Sequence, residues 1–160
     1  MLSRRILWAL PVTALALAAL FLVLGRDDGG QRLSKAQYEQ KVRSDYGNVQ
    51  EAFRSTNVQS TKLLAARVGE AQSELRHAAD DLDETKPPIE VEKENDQLVA
   101  GMRAYADDLD ALREAAERND AVGVQEFNQG IAQNAAVRQI AEAAEEMKFE
   151  GYDLGPIAED

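Results

Sequence analysis

Residues 33–53 read LSKAQYEQKVRSDYGNVQEAF and contain the clearest helix start in the chain. Ser34 is the predicted N-cap, and Gln37 three residues later completes a capping box, in which each side chain bonds a free backbone amide of the other. Leu33 is placed to pack over Tyr38 as a hydrophobic staple. The stretch therefore predicts an amphipathic helix that begins immediately after Ser34.

An apolar stripe continues from this start with a mean step of about 3.7 residues, close to the 3.6 of a straight helix. It predicts one long helix over residues 35–84. At residues 56–61 the stripe is interrupted by short polar side chains, which compete for backbone hydrogen bonds and can divide a helix. A break there is the alternative. The stripe consists of Tyr38, Val42, Tyr46, Val49, Phe53, Thr56, Ser60, Leu64, Val68, Ala71, Leu75, Ala79 and Leu82.

Two further helices are predicted beyond the sequence Lys86-Pro87-Pro88, which ends the first because proline lacks an amide hydrogen and restricts the residue before it. The second covers 88–118 and has a heptad-like seam. The third covers 121–150, with Asp120 as N-cap and Gly151 as its left-handed ending.

The predicted fold class is all-α. The short turns favour an antiparallel three-helix bundle or coiled coil with a long first helix. If the first helix breaks near 56–61, the same elements form a four-helix bundle.

The long first helix leaves residues 35–56 as a stalk in the three-helix arrangement. Its apolar side chains then have no partner within the chain, and contiguous exposed apolar surface usually marks association. We therefore expect them to contact a protein partner or a second copy in a homo-oligomer. In the four-helix alternative they are ordinary core residues. These candidate interaction residues are Tyr38, Val42, Tyr46, Val49 and Phe53.

Ile6–Leu24 is a run of nineteen uncharged, mostly apolar residues. As a helix it spans roughly 28 Å at ~1.5 Å per residue, close to the ~30 Å hydrocarbon core of a bilayer. Arg4 and Arg5 precede it, which places the N-terminus in the cytoplasm and the remainder outside. We expect residues 1–25 to be a single-pass anchor in the cell membrane. A signal peptide that is removed, leaving a secreted protein, is the alternative.

The remainder divides into a flexible linker at 26–33, one helical domain at 34–152 and a tail at 153–160. The chain has 18 Lys and Arg against 29 Asp and Glu, for a formal net charge of −11. Nucleic acid is therefore not an expected partner. The absence of cysteine excludes a disulfide, a thiolate nucleophile and a lipid-modified cysteine.

Glu74-Leu75-Arg76-His77 has the Glu-x-x-His spacing of di-iron bundles, but such a site needs the motif on two helices. His77 is the single histidine, so we expect no metal, no cofactor and no catalytic residue. The sequence predicts a non-enzymatic, single-span envelope protein that acts in protein–protein interaction or self-association. The alternative is an exported solute-binding or cation-binding sensor or carrier domain, because helical bundles form pockets between their helices.

Three segments carry a resemblance to a known group: 75–88 (LRHAADDLDETKPP), 96–102 (DQLVAGM) and 148–154 (KFEGYDL). With its helix, Pro-Pro turn and closing Gly-Tyr motif, the chain resembles small, uncharacterised envelope proteins of actinobacterial type, membrane-anchored or secreted. The resemblance implies location and an all-helical fold, and it carries no activity.

Overall fold

A computed structural model describes residues 31–54 and 60–155. Within these two ranges the chain is helical and contains no strand, which confirms the all-α class. The helices are α1 (Lys35–Arg54), α2 (Thr61–Asp83), α3 (Glu92–Glu117), α4 (Ala121–Gly130) and α5 (Ala135–Phe149), with 3-10 turns at Ile89–Val91 and Ile131–Gln133.

The predicted membrane segment Ile6–Leu24 and most of the linker lie outside the described residues. Along the described ranges, no helix combines the length and the apolar character needed to cross a membrane.

Helix α1 begins as its sequence predicts. The backbone amide of Ser34 donates to Gln37 Oε1 at 2.9 Å, and the amide of Gln37 donates to Ser34 Oγ at 3.4 Å. The capping box is therefore confirmed. Leu33 packs against the core, and its amide donates to the carbonyl of Lys86 at 2.8 Å, which ties the start of α1 to the Pro-Pro turn.

The prediction of one helix over 35–84 is wrong, because α1 ends at Arg54 and Ser60 has extended backbone angles before α2 begins. The division falls at the polar interruption in the apolar stripe. Lys41 near the start of α1 pairs with Asp81 near the end of α2 at 3.7 Å, so the two helices are antiparallel. Because α1 and α2 are antiparallel neighbours, their apolar stripes face each other and are buried from water, which stabilises the fold.

Helix α3 runs antiparallel to α2 after the Pro-Pro turn. Gln72 Nε2 donates to the Ala106 carbonyl at 2.7 Å, and Arg103 bonds Asp80 at 2.8 Å and Asp83 at 3.0 Å. The α-helix begins at Glu92 rather than at 88, because the 3-10 turn Ile89–Val91 precedes it.

The predicted third helix is also divided. Asp120 caps α4 as expected, accepting from the amide of Gly123 at 3.0 Å. Asn134 then starts α5, because its Oδ1 accepts from the amide of Val137 at 3.0 Å while its own backbone is extended. Its Nδ2 also donates to Asp108 Oδ2 on α3 at 2.8 Å, which fixes the new start against a neighbouring helix.

The end of α5 follows the predicted left-handed pattern. Gly151 has φ of 82°, and the amide of Tyr152 donates to the Met147 carbonyl at 3.0 Å. The chain then returns to α1: Leu154 is buried, and the Arg43 guanidinium donates to the Asp153 carbonyl at 2.7 Å. Asp153 and Leu154, which the sequence assigns to the tail, thus pack on the helical domain.

Candidate functional site

The candidate site is a partly open cavity of about 300 Å³ within the helical domain. Helix α1 forms one side of it, and α2 contributes Leu75 and Leu82. Helix α3 contributes Leu98, Met102 and Tyr105. The segment after α4 completes the wall with Ile131, Val137 and Ile140. The lining is therefore mostly aliphatic and aromatic.

Helix α1 supplies more of the wall than any other helix because its lining positions recur at steps of three, one and three residues, which is one face of a helix. From residue 42 to residue 53 the helix thus follows the cavity for about 16 Å at ~1.5 Å per residue. The lining side chains of α1 are Val42, Asp45, Tyr46, Val49, Gln50 and Phe53.

The structure places the five candidate interaction residues inside the fold. Tyr38, Val42 and Val49 are 0, 1 and 8% exposed, and Tyr46 and Phe53 are half-buried. All except Tyr38 line the cavity. A role in contacting a partner stays a prediction. Its original reason, an apolar stripe without a partner in the chain, does not hold, because α2 folds back over α1.

Tyr38 lies in the core beside the cavity. Its hydroxyl donates to Asn95 Oδ1 at 2.9 Å, and its ring meets the Tyr152 ring edge-on with centroids 5.9 Å apart. Burial raises the pKa of Tyr38, so the hydroxyl remains a hydrogen-bond donor. Tyr38 therefore stabilises the core of the domain and is not one of the residues that line the cavity.

Asp45 is the acidic side chain of the cavity wall. The residue is 8% exposed, and its Oδ2 is a buried atom without a hydrogen-bond partner. Lys41 Nζ lies 3.6 Å from this oxygen, which is an ion-pair distance but longer than a hydrogen bond. Burial raises the pKa of the Asp45 carboxyl; the positive charge of Lys41 opposes this, and the negative charge of Asp81 adds to it.

A small charged cluster lies behind Asp45. Lys41 Nζ is shared between Asp45 at 3.6 Å and Asp81 at 3.7 Å. His77 Nε2 lies 3.9 Å from Asp81, and the histidine side chain is exposed. No group of three or more metal-ligating side chains occurs in the two described ranges. The Glu74–His77 motif accordingly places its histidine on the surface beside one carboxylate.

Aromatic rings form the far end of the cavity. Phe53 and Tyr105 stack with centroids 5.9 Å apart and an interplanar angle of 14°. Both rings also line a second cavity of about 80 Å³, which Phe127 of α4 borders. Burial raises the pKa of Tyr105, and the nearby Asp108 adds to the effect, so its hydroxyl stays neutral.

Close packing of α5 on α3 sets the width of the site. Gly101 makes this approach possible, because a Cβ at this position would lie 2.8 Å from Ile140 Cγ1 and 3.2 Å from the Ile140 amide nitrogen. Ile140 lines the cavity, so the position of this wall depends on the glycine.

Sequence reasoning did not identify Asp45, although a signal was present. Asp45 lies three residues after Val42 and four before Val49, on the face that becomes buried. The two other buried polar side chains, Gln72 and Asn95, have hydrogen-bond partners within the fold. A buried acidic oxygen without a hydrogen bond, such as Asp45 Oδ2, is unusual in a folded protein.

Comparison of the chain with protein-family models, with curated proteins and with solved structures found no match. The resemblance to actinobacterial-type envelope proteins stays a prediction.

Proposed function

We propose that the helical domain binds a small, largely apolar molecule in the cavity between α1, α2, α3 and residues 131–140. The observation that carries this proposal is the cavity itself. Protein interiors are packed to the density of organic crystals, and voids larger than a water molecule are few. A concave, mostly apolar space of about 300 Å³ with a few polar groups has the size and character of a ligand pocket.

The wall supports binding rather than a reaction. Its polar side chains are Asp45 and Gln50, together with the hydroxyls of Tyr46 and Tyr105. Nucleophilic catalysis requires a nucleophile beside a base that is itself oriented by a third group, and these four residues do not supply that set. The domain is therefore proposed to be non-enzymatic, as a carrier or sensor of a solute.

The predicted anchor at Ile6–Leu24 gives this function a location. With the anchor retained, the cavity faces the space outside the cell membrane, and the protein presents or senses its ligand there. With the segment removed, the same domain carries the ligand as a secreted protein.

The test is to fill the cavity. Val49→Phe adds a ring to a residue that lines the site, whereas Val122→Phe adds the same ring to a position that is 65% exposed on α4. Wild-type full chain, Val49→Phe and Val122→Phe are purified from the native host, and organic extracts of each are compared by mass spectrometry.

We expect a small molecule in stoichiometric amount in the wild-type and Val122→Phe extracts and its loss from Val49→Phe. Circular dichroism checks that the Val49→Phe protein remains helical. Identical extracts from all three folded proteins, or no bound molecule in any of them, contradict the proposal.

A further inference from the structure

The second cavity continues the first beyond the stacked Phe53–Tyr105 pair. Three residues, Phe53, Tyr105 and Ile131, line both spaces. The two rings, with centroids 5.9 Å apart, therefore form a partition between two spaces with mostly apolar walls. Beyond the partition the second space, of about 80 Å³, is bordered by Val68, Leu109, Leu112, Phe127 and Asn128.

The larger cavity is long and narrow. It follows α1 from residue 42 to residue 53, a length of about 16 Å at ~1.5 Å per residue. Dividing its volume of about 300 Å³ by this length gives a mean cross-section of about 19 Å². Carbon atoms in van der Waals contact lie about 3.5–4.0 Å apart, so a single extended alkyl chain needs a cross-section of roughly this size. A compact ring system of the same volume is wider.

The walls favour an uncharged molecule. No lysine, arginine or histidine lines either cavity within the two described ranges, so an anionic group meets no positive partner there. Asp45 Oδ2 is buried 3.6 Å from Lys41 Nζ, so this oxygen does not serve a cationic group. Burying a charge without a partner is strongly unfavourable, whereas a CH2 group is stabilised by leaving water. The interior of the cavity therefore suits a hydrocarbon.

We propose that the ligand carries an unbranched, uncharged alkyl chain that lies along α1, and that the Phe53–Tyr105 pair sets the longest alkyl chain that the cavity accepts. This inference rests on the proposed function, because it names the class and limits the size of the molecule held in the same cavity. The alkyl chain packs on Val49 and Leu75 and ends against the ring of Phe53. Removal of that ring joins the two spaces and lets a longer alkyl chain enter.

The test uses straight-chain primary alcohols from hexanol to tetradecanol, in steps of two carbons. Each alcohol is titrated calorimetrically into the full-length protein in one detergent and into the detergent alone, so that dissociation constants refer to the free alcohol in water. Each CH2 group that is buried should tighten binding about fourfold, and each step of the series about fifteenfold. The affinity should level off once the alcohol is long enough to reach Phe53.

Two variants identify what causes the levelling. Phe53→Ala removes the partition, and Phe149→Ala makes the same change at a position of α5 that is 85% exposed. In Phe53→Ala the affinity should level off at an alcohol at least one step longer than in wild type, and in Phe149→Ala at the same alcohol as in wild type. Circular dichroism checks that each variant is helical. Phe53→Leu, which removes the ring but keeps an apolar side chain, replaces Phe53→Ala if the latter unfolds, and the same direction of change is expected.

The shape of the ligand is tested with cyclododecanol, a ring of the same twelve carbons as dodecanol. Dodecanol should bind more tightly, because the ring is wider than the cavity.

The outcomes separate the two proposals. The inference is wrong, while binding in the cavity stands, if a folded Phe53 variant levels off at the same alcohol as wild type, or if cyclododecanol binds as tightly as dodecanol. Affinity that still increases at tetradecanol in wild type also overturns it. Val49→Phe should weaken the binding of every alcohol. If no alcohol binds wild type, or if Val49→Phe binds them as wild type does, the proposed function fails as well.

Discussion

Asp45 is an acidic residue on the buried face of α1. A carboxylate buried without a full set of hydrogen bonds is tolerated in natural proteins mainly where a ligand or a proton completes it. Here Asp45 lies on the same face of α1 as Val42 and Val49, and its Oδ2 is buried 3.6 Å from Lys41 Nζ. The fold is thereby less stable than it would be with a neutral side chain at this position.

Asp45→Asn should increase stability at neutral pH. Because burial raises the pKa of Asp45 above its ordinary value of 3.8, the folded protein binds this proton more tightly than the unfolded chain. The stability from this group is present at low pH and is lost as pH rises through the raised pKa. The advantage of Asp45→Asn over wild type in urea unfolding should therefore grow from about pH 4 to about pH 7.

Glu51→Gln is the control for this experiment, since its carboxylate is exposed on the same helix. An equal stability difference between Asp45→Asn and wild type at both ends of the pH range would contradict the prediction. The neighbouring charged groups Lys41, Asp81 and His77 are left unchanged in every protein compared.

Some helix boundaries of this domain are determined by local sequence signals, and others are not. The capping box at Ser34, the Asp120 cap and the ending at Gly151 depend on a few neighbouring residues, and the sequence predicted all three. The division before Thr61 falls at the polar interruption that made a break near 56–61 the alternative prediction. The division at Asn134 depends in part on packing against another helix, and the 3.6-residue pattern does not show it. Asn134 is fixed partly by Asp108, which lies on a different helix.

A second prediction concerns Gly101, where α3 and α5 are in close contact. Gly101→Ala should destabilise the domain by about 1–2 kcal/mol, since overpacking against Ile140 outweighs the gain of about 1 kcal/mol from better helix propensity. Gly69→Ala on α2 is the matched control, because a Cβ there meets nothing within 4 Å. It should stabilise the domain by up to about 1 kcal/mol.

Chemical denaturation of the full chain measures both alanine variants on one scale. Equal changes in the free energy of unfolding at the two positions would show that α5 can move away from α3 without loss of stability. In that case the cavity wall at Ile140 adapts, and the width of the site does not depend on Gly101.

At the scale of the whole molecule, the main correction is that the apolar stripe of α1 is part of the core of the domain. The five candidate interaction residues of α1 are compatible with an exposed stalk that contacts a partner and with a core that is complete within the chain. Local periodicity does not distinguish these two arrangements. The structure distinguishes the two, because α2 packs antiparallel on α1. The cavity could not be predicted from the sequence either, because an incompletely filled space depends on how all the helices fit together.

The membrane location stays a prediction that depends on whether residues 1–25 are retained. We expect the intact mass of the protein isolated from its host to include residues 1–25, and we expect the protein to stay with the membrane fraction after a wash at high salt. A mass that begins beyond residue 25, with the protein in the medium, would instead support removal of the segment.

The packing of Tyr152 and Leu154 on the helical domain means that residues far apart in the sequence complete the same core. Tyr38, the first large core residue of α1, meets Tyr152 near the end of the chain, and Asp153 bonds both Glu39 and Arg43. The core of the domain can therefore be completed only after residues 152–154 have been synthesised and can pack on α1.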